Sequence, residues 1–265
     1  MIEAVLFDLG DTIIDFGVGR PQAEVLFRQG AKLTYDYLLN HRRELPPFDR
    51  YFKVHYRIMS RAYLWSRISR RDFSYQDVLW RAARKLQLNL SPEDLHLLAR
   101  LWYQPINDTS AIDAGVRPMF EDLRRAGTRM GIVSNTLVPA HCLDQHLADE
   151  GILEFFPVRV YSSFVRYRKP HPRIFEIALS QIGVPANRTL FVGDLLTTDI
   201  AGAKRAGMRT IWKPARNLTK PAVPPRGARQ TPDFVIPKVT ALLEALPHFG
   251  WEPPPPPRIR QRSEA

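Results

Sequence analysis

The stretch that decides the architecture is VLFDLGDT, residues 5–12. Ala4 to Phe7 are continuously apolar, and Asp8 ends the run with a carboxylate. The same grammar returns twice: Met130 to Val133 runs into Ser134, and Thr189 to Val192 runs into Gly193 and Asp194. Short apolar runs without alternation are how strands read when both faces of a parallel sheet are covered. Thr210 to Trp212 and Phe234 to Ile236 add two weaker strand candidates. Between these runs the spacing predicts helices over Pro118 to Ala126, Pro172 to Ile182 and Thr198 to Ala206. Each is followed by a glycine (Gly127, Gly183, Gly207) suited to a left-handed cap. Alternating strand and helix predicts a doubly wound, Rossmann-like α/β core built on a parallel sheet.

Gly17 to Asp113 breaks this rhythm, with no convincing strand. Ala23, Leu26, Phe27, Gly30, Leu33, Tyr37 and Leu38 repeat at helical spacing, as do Leu95, Leu98, Ala99 and Trp102. The expected organisation is a core over residues 1–16 and 114–250, an all-helical cap over 17–113, and a proline-rich tail over 251–265. Pro214 to Pro232 reads as a long surface loop before the last strand. The aromatics Tyr51, Phe52, Tyr56, Tyr63, Trp65 and Trp80 are expected to serve mostly as packing between cap helices.

The bulk numbers set limits. A chain of 265 residues with 45% hydrophobic residues suffices for one large domain with an insert. The opening MIEAVLFDLGDT is interrupted by acid too early for a signal peptide, and no apolar stretch reaches membrane-spanning length, so a cytoplasmic protein is expected. The single cysteine, Cys142, excludes an internal disulfide and a cysteine-cluster metal site. A net charge of +11 suits an anionic partner, but the arginines are scattered. Their local concentrations, at Arg67, Arg70 and Arg71, at Arg166 and Arg168, and at Arg258, Arg260 and Arg262, read as solvated surface. No nucleic-acid module accompanies them. His141 and His146, five apart, fit a zinc pair on one helix turn poorly.

In an open parallel sheet, ligands bind beyond the carboxyl ends of the strands, where Asp8, Ser134 and Asp194 stand. With Lys169 added, four motifs occur in order: VLFDLGDT (5–12), GIVSNT (131–136), Lys169 within RKPHPRIF (168–175), and FVGDLLTTD (191–199). In this the chain resembles the haloacid dehalogenase-like hydrolase superfamily, in the branch with a helical cap between the first two motifs. The resemblance implies that Asp8 is a nucleophile forming an aspartyl-phosphate. It implies a magnesium ion held by Asp8, the backbone carbonyl of Gly10, Asp194 and Asp199. It further implies a small phosphorylated substrate engaged by Thr12, Ser134, Asn135 and Lys169, with neither nucleic acid nor membrane as partner. The chemistry agrees: phosphoryl transfer needs a positioned nucleophile, neutralised oxygens and a bridging metal. Pro170 and Pro172 suit the turn that presents Lys169. Oligomeric state stays open.

One position departs from the pattern. Phosphatases of this superfamily carry a second aspartate two residues after the nucleophile to protonate the leaving group, and here that position is Gly10. Asp11 follows, but an offset of one residue is expected to turn its side chain elsewhere. Acid assistance is typically worth about 10² to 10⁴ in rate, so the expected substrates are phosphates with good leaving groups. Two rivals share the missing acid: a haloacid dehalogenase, which needs no divalent cation, and a catalytically silent protein that senses a phosphate ligand.

Overall fold

The computed structural model describes residues 1–17, 20–41, 44–215 and 227–252. A six-stranded sheet in the order β5-β4-β1-β6-β7-β8, parallel throughout, forms its centre. The strands are β1 (Ala4–Phe7), β4 (Arg129–Ser134), β5 (Val158–Tyr161), β6 (Thr189–Gly193), β7 (Arg209–Trp212) and β8 (Phe234–Val235). Every residue of β1 and β6 is buried, which is why both read as unbroken apolar runs. The chain winds outward from β1 through β4 to β5, returns to β6 on the other side, and continues to β8. The winding therefore reverses between β1 and β6, and the crevice of this switch point lies at the carboxyl ends of those two neighbours.

The predicted helices correspond to α5 (Val116–Arg125), α8 (Pro172–Ile182) and, for the third, a π-helical turn Leu196–Ile200 running into α9 (Ala201–Arg205). Gly183 closes α8 at φ 65, as its position after Ile182 implies. The sequence reading misses β5. Arg159 interrupts its apolar run, because on this edge strand that side chain reaches out to Asp144 (2.8 Å). It also misses a two-stranded antiparallel ribbon, β2 (Ile14–Asp15) with β3 (Ala111–Ile112), whose two-residue strands are too short to carry a pattern.

This ribbon flanks four helices: α1 (Arg20–Asn40), α2 (Phe48–Ser69), α3 (Tyr75–Lys85) and α4 (Pro92–Asp108). Ser74 and Ser91 open α3 and α4 with reciprocal capping boxes to Asp77 and Asp94, so both starts are encoded locally. Leu95, Leu98, Ala99 and Trp102 bury the inner face of α4 at the spacing expected from sequence. Not all the aromatics join this packing. Tyr51 is buried, but Tyr63, Trp65 and Trp80 stand exposed, because helical period assigns only one face of each helix to the interior.

The expected tail boundary also shifts. Residues 253–265, with the proline run, lie outside the described residues, as do 216–226 of the predicted loop. Trp251, placed in the tail by the sequence reading, is 6% exposed and donates its indole N–H to Thr128 (2.9 Å), so it belongs to the core. Cys142 is buried on α6 (Ala140–Asp149), and burial pushes its thiol up to about 12. No helix among the described residues is long and apolar enough to cross a membrane.

Candidate active site

Asp8 leaves β1 with its N–H donating to Val192 O on β6 (2.9 Å), which fixes the loop at the switch point. Its carboxylate accepts a hydrogen bond from Lys169 Nζ at 2.7 Å, and the same ammonium lies 2.7 Å from Asp199 Oδ1. All three side chains are at least nine-tenths buried. One oxygen each from Asp8, Asp194 and Asp199 lie within 4.8 Å of one another. The second Asp199 oxygen accepts the Leu195 N–H (2.9 Å), which turns the carboxylate toward the cluster. Gly193 makes this approach possible: a Cβ there would sit 2.6 Å from Asp199 Cβ, closer than atoms tolerate. The indole N–H of Trp212 donates to Asp194 O (2.7 Å) and steadies the neighbouring loop.

Charge in this cluster is unbalanced, with three carboxylates facing one ammonium. Burial pushes the Asp8 carboxyl up to about 6; Lys169 opposes the rise and Asp199 adds to it. Asp194 is pushed up further, to about 10, first by burial and then by the charges of Asp8 and Asp199. Burial alone would lower Lys169, but Asp199 and Asp8 outweigh it and hold the ammonium protonated. A buried all-oxygen cluster short of positive charge has the donor chemistry of a hard divalent cation site. Among the described residues, this trio is the one group that meets that geometry.

A cavity of about 240 Å³ opens over these groups, bordered also by Gly10, Phe16, Ser134 and Thr136. A larger one, about 460 Å³ beside His96 and His141, borders none of these residues, so chemistry rather than size selects the site. Ser134 ends β4 and faces the cavity, as the strand reading requires. Asn135 also borders it, but its side chain is engaged on both sides. Oδ1 accepts the Lys169 N–H (2.7 Å) and Nδ2 donates to Lys169 O (3.0 Å), a clamp on the lysine backbone. Thr12 is buried, has no hydrogen-bond partner for Oγ1 within the structure, and borders a separate cavity of about 120 Å³ beside Lys213. It is thus the one expected site residue the fold does not bring to the Asp8 cavity.

Asp11 stands between the two cavities. Its backbone is left-handed (φ 54), it borders both the Asp8 cavity and the one beside Lys213, and its charge adds to the upward push on Asp194. Burial, then Asp15, push its own carboxyl up, and Lys213 opposes them. At Gly10 a Cβ would meet the Phe16 ring at 3.2 and 3.4 Å. Among the cavity residues that the sequence reading did not single out are Phe16, Leu143 and Thr136. Thr136 closes the motif GIVSNT, whereas Phe16 and Leu143 lie outside the motifs and carry no signal of their own.

A buried acidic trio at the switch point of a doubly wound sheet, with a lysine joining two of its members, defines a hydrolase class, and the chain belongs to it. The haloacid dehalogenase-like hydrolase family matches residues 2–207, and the protein is a hydrolase of that family. Two similar proteins are the glyceraldehyde 3-phosphate phosphatases of Pyrococcus abyssi, 30% identical over 80% of this chain and 81% of that one, and of Pyrococcus furiosus, 28% identical over 92% and 93%. Among solved structures, a HAD phosphatase from Thermococcus onnurineus aligns with a TM-score of 0.59 and 25% identity over 96% of this chain and all of that one. A 2-haloacid dehalogenase from Pseudomonas syringae aligns with a TM-score of 0.60 and 25% identity over 94% of this chain and all of that one.

Proposed function

We propose that this chain is a magnesium-dependent phosphatase for small phosphorylated metabolites, working through an aspartyl-phosphate on Asp8. The observation that carries the reading is the Asp8 carboxylate held 2.7 Å from Lys169 inside a buried trio of carboxylates. Asp8, Asp194, Asp199 and the Gly10 carbonyl would hold the ion, which, when bound, offsets the repulsion between carboxylate and phosphate dianion.

The remaining steps fall to the protein's own groups. A carboxylate oxygen of Asp8 bonds to phosphorus as the bond between phosphorus and the ester oxygen breaks, and the leaving group departs as its anion and takes its proton from water. Lys169 keeps Asp8 oriented and neutralises charge on the phosphoryl oxygens, and Ser134 donates a hydrogen bond to one of them. Water then attacks phosphorus, releasing inorganic phosphate and the Asp8 carboxylate. Thr136 is followed by Leu137, which borders a second, more apolar cavity of about 360 Å³ with Phe27, Tyr56, Met59 and Tyr63. The helical insert, acting as a cap, thereby contributes to the choice of the organic part of the substrate.

The test is a panel of phosphorylated metabolites, including glyceraldehyde 3-phosphate and acetyl phosphate, run with magnesium and with a chelator. Turnover that stops in chelator and in Asp8→Asn supports the reading. The missing acid at Gly10 and the similar dehalogenase structure keep chloride release from a 2-haloacid as the second reading; turnover that survives chelation would select it. Ligand binding without turnover of any compound would instead indicate a silent sensor.

A further inference from the structure

Two of the arginine-rich segments face each other in the fold. Residues 70–72 from the insert and 166–168 from the core pair as a short antiparallel bridge, with Asp72 N–H donating to Arg166 O (3.0 Å) and Arg168 N–H to Arg70 O (3.1 Å). Both turns are strained: Arg70 ends α2 at φ 56, and Arg166 ends α7 (Ser162–Val165) at φ 66, left-handed conformations that cost a non-glycine residue roughly 1–2 kcal/mol. Like-charged arginines would drive the segments apart, and two insert carboxylates stand between them. Asp77 takes Arg166 in a two-pronged ion pair, and burial's upward push on its carboxyl is overridden by that guanidinium. Asp72, with its side chain 3% exposed, lies 3.6 Å from Arg168.

Asp72 reaches further than this joint. Its Oδ2 accepts the Ser162 hydroxyl (2.7 Å), and Ser162 Oγ accepts the Thr136 N–H (2.8 Å). Thr136 borders the Asp8 cavity. On the other side Arg168 immediately precedes Lys169, whose backbone is clamped by Asn135, the neighbour of Thr136. One buried carboxylate from the insert therefore ties together the two core segments that carry Thr136, at the border of the Asp8 cavity, and Lys169.

We propose that Asp72 is a positioning residue of the reaction, holding Thr136 through Ser162 and Lys169 through Arg168, so that the centre is assembled only while residues 70–72 of the insert are docked on 166–168. The kinetic part rests on the phosphatase reading; the structural coupling does not. Misplacement of catalytic groups by about 1 Å costs on the order of 10² in rate. In Asp72→Asn, which keeps the shape, and in Ser162→Ala, which loses one oxygen, kcat toward a small phosphate ester should fall at least tenfold with KM within twofold. The double variant should be no worse than the poorer single one, since both cut the same path.

Amide exchange reads the same coupling without turnover. In Asp72→Asn, protection at Arg168 and at Thr136 should fall together by at least tenfold. Exchange that rises at Arg168 and stays unchanged at Thr136 would overturn the proposal whatever the enzyme's reaction. So would folded variants with kcat within twofold of the parent, or losses that multiply in the double variant. Wild-type protein without turnover, but with both amides deprotected in the variant, would leave the coupling standing and refute the phosphatase reading alone.

Discussion

Restoring an acid at position 10 is expected to widen the range of esters the protein hydrolyses, on condition that Phe16 is trimmed. Gly10 is not among the left-handed glycines, so its backbone admits a side chain. Space is the obstacle, because a Cβ would lie 3.2 and 3.4 Å from two atoms of the Phe16 ring. Pushing a ring aside in a packed site typically costs about 1–3 kcal/mol. Acid assistance is worth about 10² to 10⁴ in rate, equivalent to roughly 3–5 kcal/mol off the barrier. Gly10→Asp alone should thus recover part of the gain, and Gly10→Asp with Phe16→Leu most of it. The assay is steady-state release of phosphate, with magnesium, from acetyl phosphate and from a simple alkyl phosphate. Wild type should favour acetyl phosphate strongly, and the double variant should narrow that gap at least tenfold by gaining on the alkyl ester. Equal turnover of both substrates by wild type would refute the reasoning, as would an unchanged ratio in a folded double variant.

Two further outcomes follow from the buried charges. Lys169→Met removes the one ammonium facing Asp8 and Asp199, and breaking a buried pair of this kind costs about 3–5 kcal/mol; the variant should lose turnover, and its Tm should rise more with magnesium than that of wild type, as thermal denaturation with and without the ion would check. His55 is 3% exposed on α2, and burial lowers it from 6.5 to about 4 despite its hydrogen bond to Tyr51 O. Between those values the unfolded chain binds a proton that the folded one refuses, so stability falls as pH drops from about 6.5 toward 4, by on the order of 3 kcal/mol. Denaturant titrations of wild type and His55→Gln across that window should show the difference; parallel curves would sink the assignment.

The sequence by itself determined the elements whose pattern is local. Ala4–Phe7, Met130 to Val133 and Thr189 to Val192 are covered on both faces, so their burial is written as near-continuous apolar runs, and Asp8, Ser134 and Asp194 mark where those runs reach the cavity. The capping boxes at Ser74 and Ser91 are local in the same sense. Edge strand β5 was illegible because one half-buried arginine breaks its pattern, and which of the insert's aromatics pack inward could not be read because composition does not say which helix face turns inward.

Whatever depends on the order of strands was left for the tertiary structure to decide. The contact of Lys169 with Asp8 spans 161 positions and depends on β4 lying beside β1, since Asn135 at the end of β4 grips the Lys169 backbone. That Asn135 grips the Lys169 backbone, that Thr12 faces another cavity, and that Asp72 joins two arginine segments of like charge are contacts between parts distant in sequence. The physical reason is that a hydrophobic period records how deeply a residue is buried, whereas its partner is chosen by the path of the chain through space.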